Sequence, residues 1–127
     1  MTPLSVAIFA HNEQARIRAC LDSLAPAAPG RPLEVYVLAN GCTDRTEAVV
    51  ADYARRHPEV RLVSIGLGDK ANTWNVFVHE VAAPAAAHVF VDGDVQAGPR
   101  AIERLWAALA ADPHAHAAAA FPASGRS

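Results

Sequence analysis

Residues 88–94, His-Val-Phe-Val-Asp-Gly-Asp, end an apolar run in two carboxylates separated by one glycine. In an extended segment, residues two apart point the same way, so a strand running through Asp92 and Asp94 turns both acids toward one ligand. Gly93 lets a backbone or a ligand come close. Hard oxygen donors with few other protein ligands suit Mg2+ or Mn2+ held jointly with phosphates. A metal there neutralises a diphosphate leaving group. The plainer alternative is a solvated acidic turn, because D-x-D is short and common. The place of the motif in the fold separates the two.

Segments of strand and helix character alternate along the chain. A strand is expected over Leu4–Ala10, then a helix over Glu13–Leu24 with Ile17, Cys20, Leu21 and Leu24 on one face and Asn12 as its cap. Pro26, Pro29, Gly30 and Pro32 make a breaker loop before a strand over Leu33–Ala39. Asp44-Arg45-Thr46-Glu47 has capping-box spacing and opens a helix that Pro58 stops. A third strand follows over Val60–Ile65, a helix over Lys70–Val81, and a fourth strand over Ala87–Val91. Pro99, at a usual first helical position, opens a helix to Ala111, with a short strand expected over His114–Phe121. Four βα units in succession predict an α/β fold, a mostly parallel central sheet with helices on both faces. Ligands of such sheets bind beyond the carboxyl ends of the strands. The residues there are His11-Asn12-Glu13, Asn40 to Asp44, Gly66 to Lys70, and Asp92-Gly93-Asp94, all expected along one edge.

Composition bounds the function. The chain has 127 residues, 52% hydrophobic and 19% charged, which suits one globular domain. A net charge of −2 without a basic cluster speaks against nucleic acid as a partner. Cys20 and Cys42 lack C-x-x-C spacing, so a cytoplasmic thiol protein is expected, with a disulfide between them left open. The first residues, Met1 to Leu4, lack the basic stretch expected of a secretory leader, and no apolar run reaches the roughly 18 residues of a membrane helix. A soluble domain of a membrane-associated parent reads the same way.

Four segments, in order, resemble the family 2 glycosyltransferases with their GT-A nucleotide-sugar-binding fold. They are "VAIFAHNEQARIRACLDSL", "VYVLANGCTDRTEAVV", "GDKANTWNVFV" and "HVFVDGDV". The resemblance implies transfer of a sugar from a nucleotide-diphosphate donor to an unknown acceptor, with Mn2+ or Mg2+ at the D-x-D site. It implies that Ala10, Asn12 and Glu13 line the nucleobase and ribose pocket. Asn40 stands where the family usually has an aspartate that pairs with the base. An amide both donates and accepts, so base recognition survives while a preference for uracil is left open. Lys70 falls near the base or phosphates as a point charge. Asp92 approaches the ribose or metal, and Asp94 coordinates the metal.

Structural roles stand beside these. Asn12 is as well read as a helix cap, and Asp44 is assigned to capping alone. Glu13 is favoured in a first helical turn by the helix dipole. Asn75 suits the site or solvent equally, and Trp74 and Trp106 suit the core. His114 and His116 have H-x-H spacing without a third ligand. Cys42 has no partner histidine, so no nucleophile is expected there.

The family's inverting chemistry needs a carboxylate base. After Asp94 the chain offers only Glu103, within a helix, and Asp112, in the turn after it, and neither suits that role. The expected organisation is a single donor-binding domain over residues 1–127, with the acceptor-binding half and the base beyond Ser127. Such a chain binds donor and metal but transfers sugar poorly by itself. Two other readings compete. Gly66-Leu67-Gly68-Asp69-Lys70-Ala71 fits a dinucleotide fingerprint and allows an NAD-binding oxidoreductase, although the fingerprint usually follows the first strand rather than the third. A non-catalytic nucleotide-binding or assembly module is the other.

Overall fold

A computed structural model describes residues 4–30, 32–65 and 88–111. Within them the chain forms strand β1 (Leu4–Ala10), helices α1 (Ile17–Asp22) and α2 (Leu24–Ala27), strand β2 (Leu33–Asn40), helix α3 (Thr46–Arg56), strands β3 (Val60–Ile65) and β4 (His88–Asp92), and helix α4 (Ala101–Ala111). The four strands make one parallel sheet in the order β3-β2-β1-β4. The order reverses beside β1: β2 and β3 lie to one side and β4 to the other. In open α/β sheets, a crevice for ligands forms at such a reversal, outside the carboxyl ends. Here it lies between the ends of β1 and β4.

The register explains what meets there. Phe9 pairs with Asp92, and the Gly93 N–H extends the ladder to the Phe9 carbonyl at 2.8 Å. Strand alternation divides the side chains between two faces. Leu4, Val6, Ile8, Ala10, Val35, Val37 and Val60 pack with Ile17, Cys20, Leu21, Val50, Tyr53 and Ile102 of the helices. Ala7, Tyr36, Leu38 and Ile65 form a second cluster on the opposite face, with Phe9, Val63 and Phe90 against it. The described helices all pack on the first face. The helix expected over 70–81, like the strand expected over 114–121, lies outside the described residues.

The helix expected over Glu13–Leu24 is shorter and divided. Asn12 takes φ +53° and turns its side chain away from the helix it was expected to cap. Regular helix begins at Ile17. It ends at Asp22 because Pro26 has no N–H to give the Asp22 carbonyl. Ser23 stands at the break, its hydroxyl donating to the Cys20 carbonyl at 2.6 Å and accepting the Ala97 N–H at 2.8 Å. This second bond ties the chain after β4 to the α1–α2 junction. Helix α4 starts at Ala101 rather than Pro99.

Candidate functional site

The β1 loop and the β2 loop are fastened to each other. Asn12 Oδ1 accepts the backbone N–H of Thr43 at 2.8 Å and of Asp44 at 3.2 Å. Asp44 Oδ2 accepts the Gln14 N–H at 3.3 Å, and Gln14 Oε1 accepts the Arg45 N–H at 2.9 Å. Thr46, fully buried, accepts the Glu13 N–H on its hydroxyl oxygen at 2.8 Å and donates its own proton to Asp44. Asp44 also accepts the Thr46 N–H at 2.9 Å, but the cap position of α3 is Arg45 and carries no side-chain cap bond, so Asp44 braces the helix start from one residue outside rather than capping it as expected, and holds the first loop as well. The Thr46 hydroxyl, more than any other bond, holds the Asp44 carboxyl below the usual carboxylate range. The expected capping box does not form: Glu47 accepts the Ser64 hydroxyl at 2.6 Å instead of reaching back to Asp44.

Further in, His11 donates from Nδ1 to the Asn40 carbonyl at 2.7 Å, because a carbonyl can only accept. Gly41, at φ +60°, continues from Asn40 in a left-handed conformation that suits glycine, and its N–H donates to the Ile65 carbonyl at 2.7 Å. The Cys42 thiol reaches the Ala10 carbonyl at 3.5 Å. Ala10 itself is buried, with its methyl in the core.

The acids gather at the reversal. Strand β4 ends at Asp92, and the chain turns there, with the Val95 N–H donating to the Asp92 carbonyl at 3.0 Å. Strand alternation therefore does not aim Asp94; a turn does. Gly93 is buried in this turn, and a Cβ on it would lie 3.1 Å from the Phe9 carbonyl oxygen and 3.3 Å from Glu13 Cγ and Ile17 Cδ1. The missing side chain is what lets Glu13 lie against the D-x-D turn. Beneath them is Cys20, whose thiol is pushed up to about 12, first by burial and then by the charges of Asp94, Glu13 and Asp92. The buried thiol, 3.8 Å from the Asp92 carbonyl, thus stays neutral in the field of three carboxylates. Arg16 supplies a counter-charge, its guanidinium 3.9 Å from Asp94 Oδ2.

Of the residues expected at the site, Asn12, Glu13, Asn40, Asp92 and Asp94 stand at the carboxyl edge of the sheet. Glu13 and Asp94 are partly exposed and Asp92 exposed, whereas Asn40 is buried. Ala10 shares the edge but turns its side chain into the core. Lys70 and Asn75 lie outside the described residues, as do Trp74, Asp112, His114 and His116. Trp106 packs on the core, as its type suggested. Glu103 is tied to Arg100 at 3.0 Å on the first turn of α4. Both cysteines are free thiols. Sequence reasoning passed over Gln14, Arg16 and Thr46. The threonine was visible within the capping-box stretch, but nothing local marks Arg16 as a neighbour of Asp94.

The donor set is chemically that of a hard divalent cation: carboxylate oxygens, partly exposed, at the end of a strand. Among the described residues, no three histidine, cysteine or acidic side chains converge to hold a metal by themselves. A cation at Asp92 and Asp94 would complete its shell with ligand oxygens or water.

Residues 5–127 match the model of glycosyl transferase family 2. The chain belongs to that family. The family 2 assignment sets aside the oxidoreductase reading. No curated protein matches the chain by sequence. Among solved structures it is similar to S. aureus TarS 1–349, at 23% identity and a TM-score of 0.66, over 84% of this chain and 32% of that one. It is similar to the same fragment in complex with UDP-GlcNAc, at 23% identity and a TM-score of 0.66, over 84% of this chain and 30% of that one. It is also similar to S. aureus TarS, at 25% identity and a TM-score of 0.60, over 72% of this chain and 16% of that one. These likenesses place the sheet in a GT-A-like glycosyltransferase fold, and the chain spans about a third of the length of the TarS 1–349 structures. No helix among the described residues is long and apolar enough to cross a membrane.

Proposed function

We propose that this family 2 chain binds a nucleotide-diphosphate sugar at the carboxyl edge between β1 and β4 and serves the donor side of sugar transfer to an acceptor. One observation carries the reading: Asp92-Gly93-Asp94 is packed against Glu13 where the strand order reverses. The UDP-GlcNAc complex of the S. aureus TarS fragment makes a uridine diphosphate sugar the first donor to test.

Each residue has a part in this reading. Asp94, with Asp92, holds Mn2+ or Mg2+, whose bound charge offsets that of the departing diphosphate. Asp92 also reaches the ribose. Glu13 and Asn40 border the nucleoside, and Lys70 answers the phosphates or base. Ala10 contributes backbone alone. Asn12 acts by fixing the second loop, because its side-chain oxygen is already engaged by two amides of that loop. Glu103 is not assigned as the base, because it is paired with Arg100 on α4.

Calorimetric titration of UDP, GDP and dTDP, in Mn2+ and in EDTA, tests the proposal. The expected result is Mn2+-dependent binding of one nucleoside diphosphate, lost in Asp94→Ala. Binding that ignores both metal and Asp94 would refute the metal assignment. A folded chain indifferent to every nucleotide would point to the non-catalytic module.

A further inference from the structure

Arg16 sits at the entry to α1, its backbone fixed by an N–H bond to the Glu13 carbonyl and a carbonyl bond from the Cys20 N–H. Its side chain is 50% exposed, and that of Asp94 is 26% exposed. One guanidinium nitrogen approaches one carboxylate oxygen at 3.9 Å. A locked arginine–carboxylate pair is bidentate and closes to about 2.7–2.9 Å. This contact is therefore a charge pairing without hydrogen-bond closure, made by a long side chain on a fixed anchor.

The surroundings explain the pairing. Glu13 packs against the turn that carries Asp92 and Asp94, so three carboxylates share this edge, and all three act electrostatically on the Cys20 thiol, Asp94 most strongly. Arg16 offsets part of that charge. A divalent cation on Asp94 would repel a guanidinium held on the same carboxylate, so the two compete there. The planar guanidinium is also the side chain best shaped to grip phosphate oxygens. From its place beside Asp94 it could turn to a diphosphate bound at this edge.

We propose that Arg16 is an exchangeable counter-ion of Asp94, paired with the carboxylate before a cation arrives and turned onto the diphosphate once the cation has displaced it. This rests on the donor-site reading above. It makes Arg16 a competitor of the metal alone and a ligand of the metal–nucleotide complex, so one substitution has opposite effects on the two.

The test is calorimetry on the chain and on Arg16→Gln and Arg16→Lys, with circular dichroism to verify folding. Two titrations are run: Mn2+ alone, and UDP at saturating Mn2+. Arg16→Gln is expected to bind Mn2+ about 3- to 10-fold more tightly, because a nearby positive charge is gone. It is expected to bind UDP about 3- to 10-fold more weakly, because a charge-assisted donor is gone. Arg16→Lys keeps the charge, so its Mn2+ affinity should stay near that of the parent, while UDP affinity recovers only in part. Constants that move in the same direction in Arg16→Gln, or either one unmoved, overturn the proposal. If the parent chain binds UDP and Arg16→Gln is unchanged, only the role of Arg16 falls. If the parent binds no nucleotide in Mn2+, the donor-site reading falls, and this proposal with it.

Discussion

Gly93→Ala tests the packing that brings Glu13 to the acid turn. The new methyl would meet the Phe9 carbonyl oxygen at 3.1 Å, Glu13 Cγ at 3.3 Å and Ile17 Cδ1 at 3.3 Å. The oxygen cannot retreat: it belongs to β1, inside the sheet, and already accepts the Gly93 N–H at 2.8 Å. Glu13 and Ile17 must move, and Ile17 is fully buried. Overpacking of this kind costs about 1–3 kcal/mol. Gly93 is not among the glycines at positive φ, so no backbone strain adds to it. Against the cost stands about 0.4–1 kcal/mol from stiffening the unfolded chain. The contact wins, leaving a net loss of about 1–2 kcal/mol. Urea unfolding should show a lower midpoint at unchanged slope, and Tm should fall by roughly 3–10 °C. Because Glu13 is displaced beside Asp94, Mn2+ binding should weaken too. A variant as stable as the parent, or more so, would refute the account of Gly93 as a space-making residue.

Three further outcomes follow from the loops and the thiols. Thr46→Val keeps the shape but strips the acceptor of the Glu13 N–H and the donor to Asp44, at a cost of about 1–3 kcal/mol in urea unfolding; Thr46→Ser, which keeps the hydroxyl, should recover most of it. In native protein an aromatic disulfide reagent should label Cys42, which is partly exposed, and reach Cys20 only on unfolding. The Cys20 thiol titrates near 9.0 when exposed and is pushed up to about 12 in the fold. The unfolded chain therefore loses its proton first, and stability falls as pH rises from about 9 toward 12, by at most about 4 kcal/mol. In Cys20→Ala this alkaline loss should shrink, and an unchanged pH profile would contradict the burial of that thiol.

The strands were legible because their residues announce themselves. Leu33–Asn40 carries the continuous apolar run of a parallel strand with neighbours on both sides, and pairs with β1 and β3. Val60–Ile65 was read with its observed bounds. Helix boundaries were less legible, since local signals compete. Asn12 has the type of a helix cap, yet at φ +53° its side chain serves the other loop. Asp44 has the type of a cap, yet Arg45 takes the cap position of α3, and the Asp44 carboxylate joins segments far apart in sequence through the Gln14 amide.

The sequence by itself determined the alternation of strand and helix, and hence that polar strand ends share one edge, because parallel strands all finish on the same side. It also determined which residues at that edge can hold a cation or a nucleotide, since that is a matter of side-chain chemistry. It did not determine which strand lies beside which. Only the tertiary structure sets β4 against β1, and that adjacency places Asp92 level with Phe9 and brings the turn after it onto Glu13 and Arg16. The pairing follows from how the sheet buries two apolar faces at once, a property of the whole chain that no local run of residues carries.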